Sequence, residues 1–187
     1  MCLKLYIRFM NAEIQASPLS GCYTITLPRH NDLRGSFVKT FHPQLFSARL
    51  PEFKEQYYSV SHQNVFRGMH FQLPPFDVVK LVYCSQGTVY DFVADLRKTS
   101  PTYGHCQRFE LSGENPTMVV IPSGMAHGFL TRSQSATLHY MVSEIYNPEL
   151  DTGIHYSSFN VIDLPHNAQV SPRDQAFVKL SDFKSPF

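Results

Sequence analysis

Short apolar segments, each closed off by a turn, recur along nearly the whole chain, and this rhythm most limits how it can fold. Ser36–Phe41 alternates apolar with polar residues, and Tyr57–His62 does so more loosely. Phe66–Gln72 and Val78–Cys84 follow, and Gly87 breaks the chain before Thr88–Ala94. Arg108–Leu111, Met118–Ile121, Gly128–Thr131 and Ala136–Val142 continue the series. Thirteen prolines and nine glycines, spread along the chain, suit many short elements joined by turns. Helical signals are few. Pro43–Leu50 has a proline in a first-turn position, with Leu45, Phe46 and Leu50 on spacing that suits one face. Ser171-Pro172-Arg173-Asp174 reads as an N-cap followed by proline at the first helical position. There is no βαβ rhythm. The expected class is all-β, a sandwich or barrel of antiparallel strands closed as a jelly roll, with a few short helices.

With 187 residues the chain fits one domain, spanning 1–187, without an internal repeat or a dividing linker. The 15 phenylalanines and 10 tyrosines favour strands over helices. A formal net charge of +1 gives no broad basic field, so nucleic acid is excluded as a partner. No apolar run approaches the length needed to span a bilayer. Lys4 and Arg8 interrupt the mildly apolar start, which therefore lacks the stretch of a secretory signal. Cys2, Cys22, Cys84 and Cys106 are far apart and show no C-x-x-C pairing, as expected of reduced thiols in a cytoplasmic protein.

Six polar residues stand out, and each signal alone admits a bland reading beside a chemical one. Arg67 and His70 lie in Arg67-Gly68-Met69-His70-Phe71-Gln72, on opposite strand faces unless a bulge intervenes at Gly68. Lys80 is a lone charge in Val78-Val79-Lys80-Leu81-Val82, either an edge lysine or one pointing into a polar cavity. His127 enters a strand after the turn at Pro122-Ser123-Gly124, as a satisfied core group or a functional one. Tyr140 can be a packed ring with a bonded hydroxyl, and Asp174 can simply charge the first turn of its helix.

Pro122-x-Gly124-x-x-His127 resembles the second motif of the cupin superfamily. The first cupin metal motif needs His-x-His, and only His70 stands there, with Phe71, Gln72 and Lys80 around it. One imidazole per motif beside an ammonium makes a poor divalent-metal site. The expectation is a cupin, a double-stranded β-helix jelly-roll barrel, with no metal and no other cofactor.

A more specific resemblance rests on Asp32-Leu33-Arg34-Gly35-Ser36-Phe37, Phe66-Arg67-Gly68-Met69-His70-Phe71-Gln72 and Lys80-Leu81-Val82. Val93-Ala94-Asp95-Leu96-Arg97, Ser100-Pro101-Thr102-Tyr103-Gly104, Ile121 to Phe129 and Val170-Ser171-Pro172-Arg173-Asp174 complete it. In these motifs the chain closely resembles the dTDP-4-dehydrorhamnose 3,5-epimerase family, from about Gly21 to Ala176. The resemblance implies a catalytic base at His70, its paired carboxylate at Asp174, a lysine near the sugar ketone at Lys80 and a proton donor on the opposite face at Tyr140. It implies arginines for the diphosphate at Arg34 and Arg67, and substrate contacts at His127, Gln72, Asp151 and Arg173. The substrate is then a nucleotide-diphosphate-linked 4-keto-6-deoxy sugar, and the assembly a homodimer, with a strand near Tyr23–Leu27 pairing across subunits.

The chemistry accounts for these residue types. A C4 ketone makes the C3 and C5 protons removable, because the carbanion is an enolate. An imidazole takes the proton near neutral pH, a carboxylate fixes its tautomer, an ammonium stabilises the oxyanion, and a guanidinium forks onto a diphosphate. Departures concern the nucleotide and the surroundings of the site. Lys39 stands where the family usually has a glutamate, Glu55 where it has a glutamine, and Tyr57 where it commonly has an asparagine. Met141 replaces a lysine and Val120 a tryptophan. An exchanged acceptor changes which base edge is satisfied, which admits a CDP- or GDP-linked sugar and a mono-epimerase acting at C3 or C5 alone. Lys39 and Glu55 can instead pair with each other. A non-catalytic sugar-nucleotide-binding cupin and a metal-dependent cupin oxygenase are the competing classes.

Overall fold

The computed structural model describes residues 12–42 and 50–187. The helix expected over Pro43–Leu50 lies, but for its last residue, outside them. Two antiparallel sheets carry the chain, and each inner face alternates with an outer one at the strand period.

The first sheet has the order β1-β2-β10-β7-β12-β5. Its strands are β1 (Glu13–Ala16), β2 (Tyr23–Thr26), β10 (Thr117–Ile121), β7 (Lys80–Gln86), β12 (Ser135–Val142) and β5 (Glu55–His62). The second has the order β13-β6-β11-β8-β9, with strands β13 (Asp151–Gly153), β6 (Val65–Gln72), β11 (Met125–Thr131), β8 (Thr88–Asp95) and β9 (Cys106–Ser112). A short β14 (Gln169–Val170) adds in parallel to the start of β6. Strands β3 (Arg29–Asp32) and β4 (Gly35–Val38) pair only with each other.

From β5 to β13 every connection except the β8–β9 hairpin steps from one sheet to the other. That stepping is the jelly-roll path, as expected. The all-β jelly-roll class is as expected, and among the described residues no ladder joins the two sheets, which pack face to face through their side chains. Consecutive strands such as β5 and β6 lie in different sheets, so their turns cross the gap instead of zipping it shut.

Between the sheets, Val82 and Cys84 of β7 and Leu138 of β12 meet Val89 and Val93 of β8 and Phe129 of β11. The outer face of the second sheet, with Phe66, Met69, Phe71 and Phe92, is covered by Phe159, Ile162, Phe183 and Phe187 from the C-terminal segment. The outer face of the first sheet buries Ile25, Leu81, Tyr83, Met118, Val120 and Met141. Three apolar layers thus leave one end of the inner gap for polar residues. Among the described residues no helix is long and apolar enough to cross a membrane.

Several strand bounds differ from expectation. The strand expected at Gly128–Thr131 starts at Met125, so His127 is within it, and the one expected at Ser36–Phe41 is β4, ending at Val38. The strand near Tyr23–Leu27 has β1 on one side and β10 on the other, so its two edges are filled within the chain.

Candidate active site

Strand β6 decides which side chains reach the inner gap. Its ladder with β11 pairs His70 with His127 and Arg67 with Phe129, so two residues of β6 stand against one of β11. This bulge shifts the alternation by one. Phe66, Met69 and Phe71 turn to the outer layer, while Arg67, His70 and Gln72 turn to the cavity between the sheets. Gly68 sits inside the bulge with φ +151°, and a Cβ there would stand 2.6 Å from the Gly128 Cα. Only glycine fits that close approach.

The cavity has a volume of about 410 Å³. His70 lines one wall, and its Nε2 lies 2.8 Å from Asp174 Oδ1. The other oxygen, Asp174 Oδ2, accepts the Gly68 N–H at 3.0 Å. Helix α1 (Pro172–Gln175) holds the carboxylate there: Ser171 Oγ accepts the Asp174 N–H, and Pro172 opens the first turn. Burial pushes the Asp174 carboxyl up, but the His70 contact, the Gly68 N–H and Ser171 outweigh it and hold the group below its ordinary value. Phe177 packs edge-on against the His70 ring at 5.7 Å.

Lys80 lies on β7, flanked by β10 and β12, so it is no edge lysine. Its Nζ donates to the His70 carbonyl oxygen at 3.1 Å. Burial pushes its pKa down to about 8, against the carboxylates of Asp151 and Asp91, which pull it up. Across the cavity, on β12, Tyr140 is buried, and its hydroxyl lies 3.2 Å from Ser59 Oγ. Burial pushes that hydroxyl above its ordinary value, so it stays protonated through the neutral range. Arg67 Nε donates to Ser61 Oγ at 3.0 Å. His127 Nε2 lies 2.6 Å from Asp91 Oδ1. The second oxygen of Asp91 is buried without a hydrogen-bond partner among the described residues.

The mouth is acidic and loop-bound. Glu55 Oε2 accepts the Tyr146 N–H at 2.9 Å, and Asp151 pairs with Arg173 at 2.7 Å. Gln72 spends its amide on the loops, donating to the Phe76 and Ile145 carbonyls and accepting the Asn147 N–H. Among the described residues no three His, Cys, Asp or Glu side chains converge as a metal site.

Nine of the residues singled out by sequence therefore line one cavity: Glu55, Tyr57, Arg67, His70, Gln72, Lys80, His127, Tyr140 and Asp151. Asp174 stands behind His70, and Arg173 joins through Asp151. Arg34 does not line it. The guanidinium is exposed on the β3–β4 turn and paired with Asp32 at 2.6 Å. Sequence reasoning missed Ser59, Ser61, Asp91 and Phe177. Asp91 carried a usable signal, a lone carboxylate inside the apolar run Val89–Val93, as Lys80 is a lone cation in its own.

A model of the dTDP-4-dehydrorhamnose 3,5-epimerase family matches residues 16–182. The chain belongs to that family. The dTDP-4-dehydrorhamnose 3,5-epimerase of Shigella flexneri is 37% identical over 160 residues, covering 81% of this chain and 88% of its own. Among solved structures, NovW of Streptomyces spheroides, a 4-keto-6-deoxy sugar epimerase from the novobiocin biosynthetic gene cluster, superposes with a TM-score of 0.85 at 34% identity, covering 91% of this chain and 88% of that one. The dTDP-6-deoxy-D-glucose-3,5-epimerase of Legionella pneumophila, solved with dTDP-4-keto-L-rhamnose, gives 0.87 at 31% identity, covering 92% and 95%.

Within this epimerase family the departures of the chain have distinct surroundings. Lys39 is exposed beyond β4 and does not line the cavity. Glu55 lines it and takes the Tyr146 N–H, and no ion pair joins Glu55 to Lys39 among the described residues. Met141 and Val120 belong to the outer apolar layer. Tyr57 has its ring stacked on that of Tyr140.

Proposed function

We propose that this epimerase-family chain inverts carbons beside the ketone of a nucleotide-diphosphate-linked 4-keto-6-deoxy sugar, in deoxysugar biosynthesis. The observation that carries this reading is the opposition of the His70–Asp174 pair and the Tyr140 hydroxyl across one cavity, with the Lys80 ammonium between the sheets beside them. His70 takes the proton from carbon, and the electrons of that C–H bond move onto O4 as an enolate. Lys80 stabilises the oxyanion with a donor that is already in position. Tyr140 returns a proton to the carbon from the other face and is itself reprotonated from solvent. Asp174 keeps the imidazole oriented and stabilises its charged form.

On this reading Arg67 holds the diphosphate in a forked contact, a role supported by the hydrogen bond from its Nε to Ser61 Oγ. His127, Asp151 and Arg173 complete the substrate contacts of this reading. A second reading concerns the handle: Glu55 lines the cavity where the family usually has glutamine, which favours a CDP- or GDP-linked sugar over a thymidine one. The protein is read as a cytoplasmic homodimer, for which light scattering on the purified chain is the measurement.

The test is incubation with dTDP-, CDP- and GDP-linked 4-keto-6-deoxyhexoses in deuterated water, followed by proton NMR. Exchange beside the ketone with one of the donors is expected. No exchange with any donor would sink the proposal.

A further inference from the structure

Tyr57 and Tyr140 stand directly opposite each other in the β5–β12 ladder. Their rings stack with centroids 4.8 Å apart and planes 19° from parallel. The imidazole of His127 packs against the Tyr140 ring as well, at 6.0 Å and 73°. The Tyr140 hydroxyl is tethered to Ser59, two residues beyond Tyr57 on the same strand. Three contacts from two sheets therefore define one orientation for this ring.

The contact with Tyr57 is not ordinary core packing. Tyr57 lies on β5, the edge strand of the first sheet, and remains 47% exposed, whereas Tyr140 is 7% exposed. Tyr57 and Tyr140 both line the cavity wall. A tyrosine hydroxyl moves only as its ring turns about two side-chain torsions. A 4-keto sugar has removable protons on both sides of the ketone carbon, at C3 and C5. A donor serving both carbons must swing from one to the other, or the sugar must be re-seated beneath it. A clamped ring with a tethered hydroxyl cannot swing, and the Tyr57 ring narrows the space for re-seating.

We infer that Tyr57 is a specificity-determining residue: by clamping Tyr140 through the ring stack it confines inversion to one of the two carbons. This rests on the epimerase reading above and adds the regiochemistry to it.

The test uses the nucleotide donor that supports exchange, the full-length protein and deuterated water. His70 removes a proton and Tyr140 delivers a deuteron from solvent; loss of the H3 or H5 signal reports which carbon is labelled, and comparison with the authentic C3, C5 and C3,C5 epimers reports which is inverted. The wild-type protein is expected to label and invert one carbon only. Tyr57→Ala removes the ring and is expected to label and invert both, with the second carbon rising from no label to a level comparable with the first. Tyr57→Phe keeps the ring and is expected to retain the single-carbon pattern, whatever its rate. Thermal melts monitored by circular dichroism establish that each variant is folded. Inversion of both carbons by the wild type overturns the clamp and leaves the epimerase reading standing. A folded Tyr57→Ala that still inverts one carbon, or none, overturns it equally. Absence of exchange in the wild type with every donor refutes the epimerase reading itself, and the clamp with it.

Discussion

The imidazole of His70 and the carboxylate of Asp174, 104 residues apart along the chain, meet at 2.8 Å. The same carboxylate accepts the N–H of Gly68, the residue whose bulge turns His70 into the cavity. One acidic group thus holds both the imidazole and the backbone irregularity that aims it.

Asp174→Asn keeps an acceptor for Gly68 and leaves the backbone N–H that Ser171 caps. The fold should persist while the imidazolium loses its counter-charge. We expect kcat to fall by about 10²–10⁴-fold, the range typical of general acid–base assistance, with a small change in KM. His70→Ala should fall at least as far. Steady-state kinetics and solvent exchange check both, and full activity in either variant would remove the dyad from the mechanism.

Lys80 sets an alkaline limit. Burial holds its pKa down to about 8, so the ammonium is present below that pH and lost above it. Turnover that depends on this charge should decline as pH rises through about 8, approaching tenfold per further unit. In Lys80→Arg the guanidinium stays charged, so the decline should vanish even though the absolute rate drops. A pH–rate profile of the wild type that stays flat to pH 10 would contradict the role.

Gly68→Ala tests the bulge. The added Cβ meets the Gly128 backbone, and the positive φ is unfavourable for any side chain. We expect a stability loss of about 1–3 kcal/mol in urea unfolding, accompanied by loss of exchange activity. Unchanged stability would mean that the two strands separate there without cost.

Chelation should leave the reaction intact. The near ring nitrogens of His70 and His127 each face a carboxylate, Asp174 and Asp91, and not each other. Dialysis against EDTA followed by the exchange assay is expected to give the untreated rate. Stoichiometric iron in the purified protein, needed for turnover, would favour the oxygenase class instead.

Much of this site was legible in the residues themselves. A lone lysine in an apolar strand, a glycine two residues before a histidine, and a serine–proline helix start ahead of an aspartate each predict a local geometry from short-range rules. The helix start is present at Ser171, while the structure decides the two alternatives left open, giving Lys80 a central strand and Gly68 a bulge. Ser59 and Ser61 were not legible as site residues, because their partners Tyr140 and Arg67 lie on other strands.

The sequence by itself determined the all-β class, the strand alternation and the types of residue available for proton transfer, since these follow from spacing and side-chain chemistry. Only the tertiary structure decided that the sheets stay open to each other, that a bulge at Gly68 turns His70 into the cavity, and that Tyr57 lies on Tyr140. Such pairings depend on which strands become neighbours and in what register. Register is set by packing the whole inner face, and no local stretch of chain contains it.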